Sequence, residues 1–216
     1  IDVSSMVPVM TQNYSPGDVV TVQKLAGKPV NQVYIGSCTN GRLEDLRIAA
    51  NMFRLTQGIV AKDVRCIVVP ATQLIYEKAL QEGLIETFAK AGCFVSGPTC
   101  GACLGMSCGV LAPGETCVST TNRNFRGRMG EGGMVHLVSP ATAVMTAIKG
   151  AVSEPPASLC TAISSTIREM SVEGLVKVTG WHGVHSPRPN YGQLIALFRA
   201  GEAKNFSGNV FYLPAA

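Results

Sequence analysis

Short apolar runs rich in β-branched residues alternate with stretches whose apolar residues recur at helical spacing, from residue 32 to residue 150. Gln32-Val-Tyr-Ile-Gly36 reads as a buried strand that ends at Ser37-Cys-Thr-Asn40. Leu43, Leu46, Ile48, Ala49, Met52, Phe53 and Leu55 then predict an amphipathic helix over 42–56, with Thr39 or Asn40 as its cap. Glu44 and Asp45 charge the first turn of that helix favourably. Val64–Val69 is a second strand stopped by Pro70, and Leu74, Ile75, Ala79, Leu84, Ile85 and Phe88 predict a helix over 72–91. Gly92–Ser96 and Glu115–Ser119 read as further strands, followed by Met134–Val138. Ser139 and Pro140 supply an N-cap and a first helical residue for a helix through Ala147, which Gly150 ends.

Strands alternating with helices predict an α/β fold of three layers, α/β/α, with a mostly parallel sheet covered by helices on both faces. In such sheets ligands lie at the carboxyl ends of the strands. Cys38, Cys100 and Asn122 each fall just after a predicted strand, so the fold can bring them to one edge. Residues 1–30, broken by Pro8, Pro16, Gly17, Gly27 and Pro29, form an opening segment with extended pieces such as Val19–Gln23. Residues 1–150 therefore read as one domain and 151–216 as a C-terminal extension of unassigned role. The extension starts with a linker over 151–158, then a helix at 160–170 and a strand at Leu175–Val178.

Composition supports a folded domain and narrows its partners. Of the 216 residues, 46% are hydrophobic and 15% charged, which is a well-buried composition, and 23 glycines point to many tight turns. A net charge of +4 suits an anionic small molecule and falls short of the concentrated basic face of a nucleic-acid binder. No apolar run reaches the roughly 20 residues of a membrane span. The N-terminus shows no basic-then-apolar leader and opens Ile1-Asp2-Val3, as a piece of a longer chain would. Eight cysteines spread over this length suit a reducing, cytoplasmic setting better than a disulfide scaffold.

The chemistry concentrates in two glycine-rich stretches. Gly97-Pro-Thr-Cys-Gly-Ala-Cys-Leu-Gly105 carries Cys100 and Cys103, and Cys38 sits in a similar small-residue turn. A C-x-x-C pair suits a redox dithiol, half of a zinc site, two ligands of an iron-sulfur cluster, or simple core packing. Three cysteines without an evident fourth suit a cluster with one open iron, although Cys108 is close enough to Cys103 to rival it as a ligand. Cys66, Cys93 and Cys117 sit in predicted strands and read as core. In Asn122-Arg-Asn-Phe-Arg-Gly-Arg128, arginines interleaved with amides read either as a solvated basic loop or as a cage of forked donors for a carboxylate-rich substrate. His136 reads as a hydrogen-bonded core residue, and Trp181-His-Gly-Val-His185 as a surface loop rather than a metal pair.

Gly36–Arg47, Gly97–Gly105, Leu111–Glu115 and Ser119–Arg128, in that order and continued by Val138–Ala143, closely resemble the aconitase superfamily. The nearest branch is that of the 3-isopropylmalate dehydratase and homoaconitase large subunits, and the match covers about residues 1–150. The resemblance implies the cluster-bearing domain of that family, with Cys38, Cys100 and Cys103 ligating a 4Fe-4S cluster. It also implies that Asn122, Arg123 and Arg128 help hold the cluster or the substrate carboxylates; Arg126 stands where the motif varies and has no assigned role. The implied activity is a hydro-lyase step on a 2- or 3-hydroxy di- or tricarboxylic acid such as isopropylmalate, in leucine biosynthesis. A small subunit or swivelling domain carrying the base is the implied partner. The runner-up is a non-catalytic, partner-dependent or RNA-contacting relative, which the arginine loop permits and the modest charge argues against. Ala102 departs from the family pattern, in which proline is common, and is expected to loosen the turn between the two cysteines.

Overall fold

Five parallel strands form the centre of the computed structural model, which describes residues 7–162. A small antiparallel hairpin comes first, β1 (Val9–Thr11) with β2 (Val19–Thr21), followed by a 3-10 turn at Val22–Leu25. β3 (Gln32–Gly36) then leads into helix α1 (Leu43–Thr56), and β4 (Arg65–Val69) into α2 (Gln73–Gln81) and α3 (Leu84–Lys90). β5 (Phe94–Val95), β6 (Thr116–Ser119) and β7 (Met134–Leu137) complete the sheet, and α4 (Pro140–Lys149) follows. The order across the sheet is β5-β4-β3-β6-β7, with every neighbouring pair parallel.

Most expected elements form for the expected reasons. The Ser139 hydroxyl accepts from the Thr142 amide, Pro140 opens α4, and Gly150 closes it with φ 73°. Two expectations need correction. The stretch 72–91 is two helices, because Gly83 adopts a left-handed conformation between them. The cap expected from Thr39 or Asn40 is not used: α1 begins after Arg42 without a side-chain cap, and Asn40 is engaged elsewhere. The proposed helix beyond residue 162, the strand at 175–178 and the Trp181–His185 loop lie outside the described residues, although 157–162 are helical.

The α/β expectation holds, with one layer built differently. α1 packs against both α3 and α4 on one side. The opposite face of the sheet carries Tyr34, Ile67, Val69, Cys117 and Val135, and it is covered by Ala102, Leu111 and Met129 from the β5–β6 and β6–β7 loops. These are the two loops that carry the cysteine pair and the arginine cluster. Burying Leu111 and Met129 against the sheet, each worth about 1.5–3 kcal/mol, together with the smaller Ala102, is what fixes two long loops that contain only one 3-10 turn, at Gly101–Leu104. No helix among the described residues is long and apolar enough to cross a membrane.

Candidate functional site

β3 is the strand at which the order of the sheet reverses, since its neighbours β4 and β6 continue the chain in opposite directions. A crevice opens at the carboxyl end of such a strand, and there the chain turns through Gly36-Ser-Cys-Thr-Asn-Gly41. Gly36 sits at φ 97°, and a Cβ there would lie 2.1 Å from the Val69 carbonyl oxygen. The Gly36 amide donates to Thr120 Oγ1 at 2.8 Å, and Asn40 Nδ2 donates to the Thr120 carbonyl at 2.7 Å. The Ser37 amide donates to the Val69 carbonyl at 3.0 Å. The turn is thus clamped from β4 and β6 together. Ser37 is fully buried at φ 113°, a region that costs a side-chain-bearing residue about 1–3 kcal/mol, and among the described residues its hydroxyl has no hydrogen-bond partner. That strain presents the next residue, Cys38, outward and exposed.

The cysteine loop reaches the same place from the edge strand β5. Tyr34 stands fully buried on β3 and donates its hydroxyl to the Cys100 carbonyl at 3.2 Å. Burial pushes the Tyr34 phenol far above its ordinary pKa, so it stays a donor. Gly101, directly above it, has no room for a side chain: a Cβ would lie 2.5 Å from Tyr34 Oη. The Cys103 amide donates back to the Cys100 carbonyl at 3.1 Å, closing the turn, and the Ala102 methyl is fully buried beneath. Cys100 Sγ and Cys38 Sγ are 3.7 Å apart although 62 residues separate them in sequence. That hydrogen bond, more than any other influence, raises the Cys100 thiol above its ordinary pKa.

Cys103 is held differently. Arg128 Nη2 donates to Cys103 Sγ at 2.7 Å and Arg128 Nε to the Cys103 carbonyl at 3.1 Å, with Asn122 Oδ1 at 3.5 Å from Nη2. Arg128 is 4% exposed, and among the described residues its Nη1 has no partner and no carboxylate pairs with it. A buried guanidinium without a counter-charge is costly, so this pocket calls for negative charge, which thiolates supply. Asn122 and Arg123 are both exposed. Arg126 lies over the Tyr14 ring at 4.9 Å, joining the arginine loop to the β1–β2 hairpin.

Among the sequence-selected residues, Cys38 with Cys100 and Cys103 with Arg128 and Asn122 are brought into two adjoining contacts, while Arg123 stays on the surface. Among the described residues no three His, Cys, Asp or Glu side chains converge on one point as a single metal ion requires. A polynuclear cluster asks less, because each thiolate meets a different iron at a different corner. Cys108 packs against the core cluster, and burial pushes the Cys117 thiol up to about 12. Sequence reading missed Tyr34, Ser37, Asn40 and Thr120, which position the cysteines. Only the strand-end location of Ser37 and Asn40 could have drawn attention to them.

The sequence matches the family described as "Aconitase family (aconitate hydratase)" over residues 1–150. It is 59% identical over 155 residues to the 3-isopropylmalate dehydratase large subunit of Geotalea uraniireducens (strain Rf4), covering 72% of this chain and 36% of that one. Identity is 60% over 154 residues with the protein of the same name from Geobacter sulfurreducens, covering 71% and 36%. It is 49% over 157 residues with 3-isopropylmalate dehydratase large subunit 2 of Archaeoglobus fulgidus, covering 72% and 37%. The chain spans about a third of the length of these curated relatives. A family match over residues 1–150, carrying both cysteine turns and the arginine loop, shows that the chain belongs to the aconitase family.

Proposed function

We propose that this chain is the cluster-bearing part of a hydro-lyase of the 3-isopropylmalate dehydratase kind, acting on a 2- or 3-hydroxy di- or tricarboxylic acid. The observation that carries the reading is Arg128, a buried guanidinium that meets the Cys103 thiol on one side and leaves an N–H unpartnered on the other. Cys38, Cys100 and Cys103 would hold a 4Fe-4S group, to which a three-thiol donor set and an uncompensated buried cation are suited. When bound, that group supplies an open iron able to polarise a hydroxyl. The chain's own residues do the rest of the holding. Arg128 balances the negative charge of the thiolates, and Tyr34, Asn40 and Thr120 keep the two cysteine turns in register. Asn122 and Arg123, both exposed on the arginine loop, would offer an amide and a forked cation to substrate carboxylates.

The reading assigns the proton-removing base to a partner, a small subunit or a further domain. The printed name "large subunit" of the relatives supports this. So do Leu104, Met106 and Phe125, which stand on the two site loops with 64%, 57% and 55% of their surface exposed. A reducing cytoplasm suits the eight free cysteines, and leucine biosynthesis, the setting the family resemblance implies, belongs to the same proposal.

Anaerobic reconstitution of the 216-residue chain with ferrous iron and sulfide is the direct test. About four irons and four sulfides per chain are expected. Cys38→Ser, Cys100→Ser and Cys103→Ser should each abolish them, and Cys108→Ser should not. Stoichiometric zinc without sulfide, or loss of iron in Cys108→Ser alone, would sink the assignment.

A further inference from the structure

Cys66 and Cys93 lie in a part of the sheet that the proposed chemistry does not use. Cys66 is the second residue of β4, and Cys93 immediately precedes β5. β4 and β5 are parallel, with Ile67 opposite Phe94 and Val68 opposite Val95, so the same register sets Cys66 opposite Cys93. In-register residues of neighbouring strands point to the same face, and strands about 4.8 Å apart fall within the Cα separation of about 4.4–6.8 Å that a disulfide spans. The Cys93 thiol is also the largest influence that raises the Cys66 thiol above its ordinary pKa, as expected of neighbouring thiols. Both are free, Cys66 is 2% exposed, and Cys93 is half-buried.

We propose that Cys66 and Cys93 form an oxidant-sensitive modification site, a dithiol that hydrogen peroxide converts into a β4–β5 disulfide. The order of events follows from exposure. Cys66 is 2% exposed and Cys93 half-buried, so Cys93 is the sulfur that meets the peroxide. Its thiolate attacks one peroxide oxygen, the O–O bond breaks, and a sulfenic acid and one water result. Cys66 sulfur then attacks the Cys93 sulfur, its proton leaves with the departing hydroxyl as a second water, and the S–S bond closes. Two thiols lose two electrons in all, and one peroxide is reduced to two waters. The bond would tie the two-residue strand β5 covalently to β4. The chain leaves β5 directly toward Cys100, so the modification anchors the strand from which the cysteine loop departs. This inference stands independently of the proposed cluster.

The test treats the reduced, cluster-free full-length chain with hydrogen peroxide, blocks remaining thiols with iodoacetamide, and maps peptides without reduction. The expected product is a cross-linked peptide two hydrogens lighter than its parts. Fragmentation should place the bond between Cys66 and Cys93, distinguishing it from any link between Cys38 and Cys100. In Cys93→Ser, Cys66 should remain a blockable thiol under the same treatment. Finding Cys93 as a sulfinic acid while Cys66 is still free in the wild-type chain overturns the proposal. So does recovery of both as alkylated thiols when Cys38 and Cys100 have been oxidised. The wild-type map decides the matter even if the variant fails to fold.

Discussion

Replacing Arg128 by methionine should leave the stability of the cluster-free chain nearly unchanged, because two opposing contributions of similar size disappear together. The variant loses the hydrogen bonds from Arg128 to the Cys103 carbonyl at 3.1 Å and to Cys103 Sγ at 2.7 Å. Each is worth about 1.5–3 kcal/mol when the donor is charged. The contact with Asn122 Oδ1 at 3.5 Å is too long to add much. On the other side, a guanidinium at 4% exposure without a carboxylate partner is relieved of burial, which costs several kcal/mol per ion. The sum is about zero, within roughly 2 kcal/mol. The cluster-loaded chain should behave differently, because there the cation has its counter-charge. Breaking a compensated buried pair costs about 3–5 kcal/mol, or roughly two to three and a half powers of ten in cluster retention at about 1.4 kcal/mol per tenfold. Urea denaturation of the cluster-free proteins and iron release to a chelator from the reconstituted ones measure the two quantities. A loss of about 3–5 kcal/mol in the cluster-free variant would mean that Arg128 is an already satisfied strut and that the pocket does not call for an anion.

Gly36→Ala should unfold the chain or cost more than about 3 kcal/mol in denaturant, since its Cβ would meet the Val69 carbonyl oxygen at 2.1 Å and its φ is 97°; a mild effect would refute the clamped-turn geometry. Thr120→Val removes the acceptor of the Gly36 amide while keeping the shape, so denaturation should show a loss of about 1–3 kcal/mol for an orphaned buried donor. His136 is held below its ordinary pKa by burial, with Lys28 contributing and the Thr11 carbonyl opposing. The unfolded chain therefore takes up this proton first. Stability should fall as pH drops below about 6.5, and His136→Asn should flatten that part of the curve of denaturation midpoint against pH.

The elements that were legible in the sequence are those whose cause is local. α4 announces itself through Ser139, Pro140 and Gly150, and β3 and β4 through runs too apolar for anything but a strand covered on both faces. The break at Gly83 was hidden, because the apolar spacing continues across it into Leu84 and Phe88 and only a left-handed glycine interrupts the backbone. The same holds for Asn40. Its amide looks like a helix cap in sequence, but the nearby Thr120 carbonyl, 80 residues away, is the partner it takes. Long-range register, which pairs Tyr34 with Cys100 and Cys103 with Arg128, leaves no local trace.

The covering of the sheet explains why the site could be located from spacing and yet not assembled from it. Where a helix connects parallel strands, its apolar stripe is periodic and its position can be read. Here the β5–β6 and β6–β7 connections cover one face of the sheet with Ala102, Leu111 and Met129, which follow no period because each loop is shaped by where its glycines permit it to turn. Those same loops carry Cys100, Cys103, Asn122 and Arg128. The residues that seal the core are therefore the ones that aim the site. Ala102 lies between the two cysteines of the pair, and Met129 follows Arg128 directly. A mutation that loosened either apolar contact would shift the neighbouring cysteine or Arg128 with it. The stability of this face and the geometry of the cysteine–arginine cluster are thus one property, set by the packing of two irregular loops against β3, β4, β6 and β7.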